Sequence, residues 1–145
     1  MTKYHSLIFI NVPGYYIKGT PELKSFGKET VIMQAKSSGS FYELEGIASS
    51  ARIKSTDPYV ILIKAGDGDP SNGLFMYKME VNKKKRKATM AKVSMSGKMD
   101  MSKDQVAYKL EKIADKIYKI VPDQKLEAGE YMFLIGLTAH SFGIE

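Results

Sequence analysis

Two histidines, His5 and His140, and no cysteine confine nucleophilic or acid–base chemistry in this 145-residue chain to carboxylates, lysine, tyrosine and serine. No pairing of these residues stands out by spacing. His140-Ser141 is not a nucleophile and base, because adjacent residues on a strand point to opposite faces. Glu130, next to Gly129, could pass for a catalytic carboxylate. Glycoside hydrolysis needs a second acid at a defined separation, and none is identifiable, so Gly129-Glu130 reads as a turn glycine and an exposed acid at a strand start. The pattern therefore gives no catalytic residue.

Asp67-Gly68-Asp69-Pro70-Ser71-Asn72-Gly73 places oxygen donors as a calcium loop does. The sixth position, where such a loop needs glycine, holds Asn72, and the twelfth, where it needs a bidentate acid, holds Lys78. A plain turn-rich loop is the reading. With the histidines isolated and thiolates absent, no metal and no cofactor are expected.

The strongest charge signal is Lys83-Lys84-Lys85-Arg86-Lys87, the head of a segment (83–98) that also contains Lys92 and Lys98 and no acid. Removing these seven cations from the total of 22 leaves 15 against 16 acids, so the net charge of +6 comes from one place. Lys83, Lys84, Lys85, Arg86 and Lys87 are candidate phosphate contacts, which would give salt-dependent nucleic-acid binding without base readout. No aromatic residue is interleaved with them to stack bases. A solvated turn, or lysines guarding a sheet edge, is the competing account.

These residues sit among recurrent strand signals. Ile8, Ile10 and Val12 alternate with Phe9 and Asn11, and Pro13-Gly14 closes the run as a turn. Val31 to Lys36 alternates, as do Phe75 to Val81, and Phe41 to Ile47 and Ala51 to Ile53 read as short strands. Tyr59 to Ile63 is continuously apolar and β-branched, the mark of a strand covered on both faces at a sheet centre. The basic run reads as a turn leading into a strand from Ala88 to Met95. Tyr118 to Val121, the turn at Pro122 and the apolar run Met132 to Leu137 close the core. Tyr15-Tyr16, Phe41-Tyr42 and Tyr59 could form a ligand platform, but a chain without tryptophan builds its core from such residues.

The segment 105–121 fits two periods. Val106, Leu110, Ile113, Ile117 and Ile120 make a helical stripe, with an N-cap available near Ser102; Val106, Tyr108 and Leu110 also alternate as a strand before a turn at Ala114-Asp115-Lys116. The fold class is therefore all-β, an antiparallel sandwich or partly open barrel, with room for one short helix near 103–116; α+β is the alternative. With no repeat or linker, residues 1–145 make a single domain, long enough to bury roughly two thirds of the surface of its unfolded form.

Gly46-Ile47-Ala48, Ala51-Arg52-Ile53, Asp57-Pro58-Tyr59, Lys85-Arg86, Tyr118-Lys119-Ile120 with Pro122, Leu126 with Gly129-Glu130-Tyr131, and Phe142-Gly143-Ile144 occur in that order. Together they resemble an uncharacterised β-rich bacterial domain often found in exported or surface-associated proteins. The resemblance covers about residues 40–145. It implies strands around the Pro122 turn and supplies no catalytic motif.

The functional reading is a non-catalytic binding or structural module, with a protein partner or self-association through a sheet edge. The alternative is a nucleic-acid binder using 83–98. Leu7 to Val12 is too short to span a bilayer and lacks a basic leader, so no transmembrane segment and a cytoplasmic location are expected, or export if a signal peptide has been removed.

Overall fold

A computed structural model describes residues 11–20, 22–93, 99–101 and 104–145. The expected strand through Ile8 and Ile10 lies outside them, as does His5. The described residues contain fourteen strands and no helix.

Five strands form an outer antiparallel sheet. They are β1 (Gly14–Ile17), β2 (Lys24–Ser25), β7 (Tyr59–Lys64), β11 (Tyr108–Ala114) and β12 (Ile117–Pro122), in the order β11-β12-β7-β1-β2. The apolar run Tyr59 to Ile63 takes the centre, as its two-sided hydrophobicity requires. The turn at Asp115-Lys116 splits 105–121 into the paired strands β11 and β12, Tyr108 opposite Pro122 and Leu110 opposite Ile120. This removes the helix expected near 103–116 from its described part: the period of two won because both strands bond into a sheet. Gly14, expected in a turn, instead opens β1, opposite Leu62.

The second sheet contains β3 (Gly27–Thr30), β4 (Ile32–Lys36), β5 (Gly39–Glu45), β6 (Arg52–Ile53), β8 (Leu74–Asn82), β9 (Lys85–Val93), β10 (Met99–Met101), β13 (Gly129–Ile135) and β14 (Thr138–Ile144). Its order is β3-β14-β13-β8-β9-β5-β4, with β10 beside β9 and the short β6 parallel to β14. The two ends of that path, β3 and β4, are separated only by Val31, whose N–H bonds the Leu137 carbonyl at 3.0 Å. The sheet thus curls back on itself as a partly open barrel. β8 and β9 pair only near their hairpin, Glu80 to Asn82 against Lys85 to Lys87. Farther along they diverge, and the gap is bridged by Asp104, whose carbonyl accepts from Lys78 N–H and whose carboxylate accepts from Thr89 N–H, each at 2.8 Å.

Alternation along β8, β13 and β14 serves two cores at once. One face sends Tyr77, Met79, Met132, Leu134 and Ala139 into the barrel to meet Val31, Tyr42, Leu44 and Ala88. The other sends Leu74, Met76, Tyr131, Phe133 and Phe142 against Tyr15, Ile61, Ile63 and Ile120 of the outer sheet. Phe26 ties the two layers, its ring 4.9 Å from Tyr15 and 4.8 Å from Phe142. Tyr15 and Tyr42 are therefore core residues, one in each core, with Tyr59 packed against the core that holds Tyr15.

Candidate functional site

One end of the barrel is polar. Strand register brings Glu130 of β13, Gly143 of β14 and Arg52 of β6 side by side. Because Gly143 has no side chain, the Glu130 carboxylate reaches across it to Arg52 Nη1 at 2.6 Å, while its other oxygen accepts from Ser49 N–H at 2.8 Å. A Cβ at 143 would lie 2.1 Å from Arg52 Nη1 and 2.6 Å from Glu130 Oε2. Arg52 Nε also donates to Glu145 at 2.7 Å, and these two carboxylates, Glu145 first, raise the guanidinium pKa. Glu130 is thus buried, not the exposed acid expected from its place after Gly129: β14 and the loop before β6 cover it.

The polar chain continues through serines. Ser141, fully buried, has its Oγ within hydrogen-bond reach of Ser49 Oγ (2.8 Å), the Gly27 carbonyl (3.2 Å) and Glu29; its single O–H goes to one of these acceptors, and its lone pairs can accept from the Ser49 hydroxyl. Gly27 lies against this cluster, where a Cβ would stand 2.9 Å from Ser49 Oγ and 3.0 Å from Ser141 Oγ. Glu29 in turn receives a bidentate pair from Arg86, Nη2 at 2.6 Å and Nη1 at 2.9 Å. Two further Arg86 donors reach the carbonyls of Gly46 (3.0 Å) and Glu45 (2.6 Å). A guanidinium suits this position because its planar fork can serve a carboxylate and two carbonyls at once. The network runs from Arg86 through Glu29, Ser141, Ser49 and Glu130 to Arg52, and seals the barrel end with partnered groups. Gly46, Arg52, Arg86, Glu130 and Gly143, all in the motifs of the sequence resemblance, meet here.

The five cations of the basic run consequently have different fates. Lys83, at φ 57°, and Lys84 form the two-residue turn between β8 and β9, exposed and with no ion-pair partner among the described residues. The turn is shorter than expected, and Lys85, Arg86 and Lys87 belong to β9. Alternation turns Arg86 inward with Ala88; it is 1% exposed. Lys85 and Lys87 face outward, Lys85 within 3.5 Å of Glu43 and 3.7 Å of Glu45, and Lys87 Nζ 4.6 Å from the Phe41 ring centroid. The structure does not bring the five together as one patch.

His140 lies on the opposite face of β14 from Ser141, buried, across from Phe133 and Lys28. Burial first and the Lys28 charge second push its pKa below the ordinary value. Asp69 of the calcium-like loop accepts from Ser71 N–H (2.9 Å) and Ser71 Oγ (2.7 Å), bonds that close a turn and lower its pKa. Among the described residues no cluster of three metal-ligating side chains occurs.

A different kind of surface lies along β4, expected as a strand from the alternation of Val31 to Lys36 but exposed along both faces rather than half-buried. Every residue pairs with β5, from Ile32 opposite Glu43 to Lys36 opposite Gly39, and no strand among the described residues bonds its other edge. The two-residue turn Ser37-Ser38 makes Lys36–Gly39 a hydrogen-bonded pair, so Gln34 and Ile32 also bond β5 while the N–H and C=O of Met33 and Ala35 point away from it. Ile32 and Met33 are 40% and 51% exposed, large apolar side chains beside that free edge. Sheet edges of this kind accept a further strand unless charge or proline blocks them. Here only Lys36 stands guard.

The chain matches no protein-family model, no curated protein and no solved structure.

Proposed function

We propose that this chain is a non-catalytic structural and interaction module that self-associates through the open edge of β4. The observation that carries the reading is the coincidence, over Ile32–Lys36, of outward-facing backbone donors and acceptors with exposed Ile32 and Met33. A second copy fits this edge. Antiparallel pairing about a two-fold axis at Gln34 sets Met33 against Ala35 of the partner and Ile32 against Lys36, so no like charges face each other. Gln34 then faces its own copy, and the outward groups of Met33 and Ala35 bond one another in the required register.

The test is the molecular mass in solution across a concentration series. The module gives a dimer that dissociates on dilution, and Met33→Pro, which removes one outward donor at a position where an edge strand tolerates proline, gives a monomer with the same fold. A monomer at every concentration would refute the reading.

Nucleic-acid binding is the second reading, favoured by the exposed Lys83 and Lys84 at the hairpin tip. Binding at low salt that disappears in Lys83→Glu/Lys84→Glu would support it; no binding, or binding indifferent to that change, would remove it.

A further inference from the structure

Tyr108, Leu110 and Tyr118 lie half-buried on one face of β11 and β12 at the margin of the core, and with the loop Gly68–Ser71 they line an open cleft of about 590 Å³. That volume falls within the range of small-ligand sites, roughly 300–1,000 Å³. The diagonal register, Tyr108 opposite Pro122 and Tyr118 opposite Lys112, puts the two tyrosines at the ends of the floor with Leu110 between them.

We propose that this cleft is a carbohydrate-binding site that takes a neutral pyranose unit of an oligosaccharide. Pyranose rings present an apolar C–H face and a rim of hydroxyls. Tyrosine rings and a leucine floor suit the first, and fixed polar groups suit the second. Tyr108 has its hydroxyl held by the Leu74 carbonyl at 2.6 Å, which pins the ring and leaves it to offer its body. The Tyr118 hydroxyl has no partner among the described residues and is free to meet a sugar hydroxyl.

Asp69 supplies the acceptor. Both Ser71 bonds fall on Oδ1, so Oδ2 is left for the ligand while the carboxylate is held in place. Backbone and side-chain donation from Ser71 keep it ionised. Among the described residues Asp69 is the one charged residue in the lining, so the cleft opposes an anionic guest.

The site is tested by backbone-amide NMR titration of the whole chain with cello-, xylo-, chito- and malto-pentaose at millimolar concentration. At least one shifts the amides of Gly68–Ser71 and of Tyr108–Tyr118. Tyr118→Ala weakens that binding about tenfold, Tyr118→Phe restores most of it by keeping the ring, and Asp69→Asn costs about fivefold. The conservative variants leave the unliganded spectrum unchanged apart from the cleft. The proposal is overturned if no sugar shifts these amides, if folded Tyr118→Ala binds as tightly as the parent, or if tetramethylammonium fills the cleft where sugars do not.

Discussion

The barrel end and the β4 edge are built from the same element type and treat their polar groups in opposite ways. At the end, Arg86, Ser141, Ser49 and Glu130 are buried and bonded to one another through the half-buried Glu29, with Arg52 closing the chain at the surface. Along β4, backbone groups face outward beside exposed Ile32 and Met33. Charge that is paired within the fold shapes the molecule and leaves little for a partner. Unpaired edge groups contribute nothing to the isolated fold and are available to one. In this chain the conspicuous residues are the structural ones, and the modest segment Ile-Met-Gln-Ala-Lys is the one we propose for association.

The contrast breaks first at Arg86. Arg86→Ala leaves Glu29 without its ion-pair partner and two carbonyls without the guanidinium donor, and lowers stability by about 3–5 kcal/mol, measured by urea unfolding; Arg86→Lys recovers little, because an ammonium cannot span the fork. A stability loss under about 1 kcal/mol would make the network incidental. Gly143→Ala comes next, costing roughly 2–4 kcal/mol as the methyl evicts the Arg52–Glu130 pair and strands a buried carboxylate. The damage comes from the lost pair, since the displaced atoms are the ends of flexible side chains, and Glu130→Gln in the same background softens it.

A smaller effect sharpens the comparison through pH. The His140 pKa is depressed from its ordinary 6.5, so the unfolded chain binds a proton more readily than the folded one. The stability this residue permits is whole above pH 6.5 and falls as the pH drops through that value toward the lower folded pKa. His140→Asn flattens this part of the stability–pH curve; a curve unchanged by the substitution would assign the dependence elsewhere. Smallest of all, Lys83→Glu/Lys84→Glu alters stability by less than about 0.5 kcal/mol, since neither side chain holds an ion-pair partner among the described residues.

Much of the fold was legible. Tyr59 to Ile63 announced a central strand, and Phe75 to Val81 an alternating one, because burial follows side-chain period directly. β14 is only partly legible: His140-Ser141 reads as part of a strand, but Thr138-Ala139-His140-Ser141 has too little apolar content to mark its extent, since its inward face carries the small residues that leave room for the polar network. Glu130 looked exposed for the same reason, as its cover comes from Arg52 and Ser49, some eighty residues upstream. Arg86 did leave a trace, being the one arginine in a lysine run and in phase with Ala88 and Met90. Sequence alone could raise self-association through a sheet edge, but not single out β4, because which strand keeps a free edge is decided by pairings distant in sequence.

The most direct test is the solution mass of the parent chain, Gln34→Lys, Gln34→Glu and an equal mixture of the two variants. Pairing about Gln34 predicts a dimer for the parent, monomers for each variant because like charges then meet on the axis, and a dimer again for the mixture. A parent that stays monomeric, or a Gln34→Lys chain that dimerises as the parent does, would contradict the proposed edge.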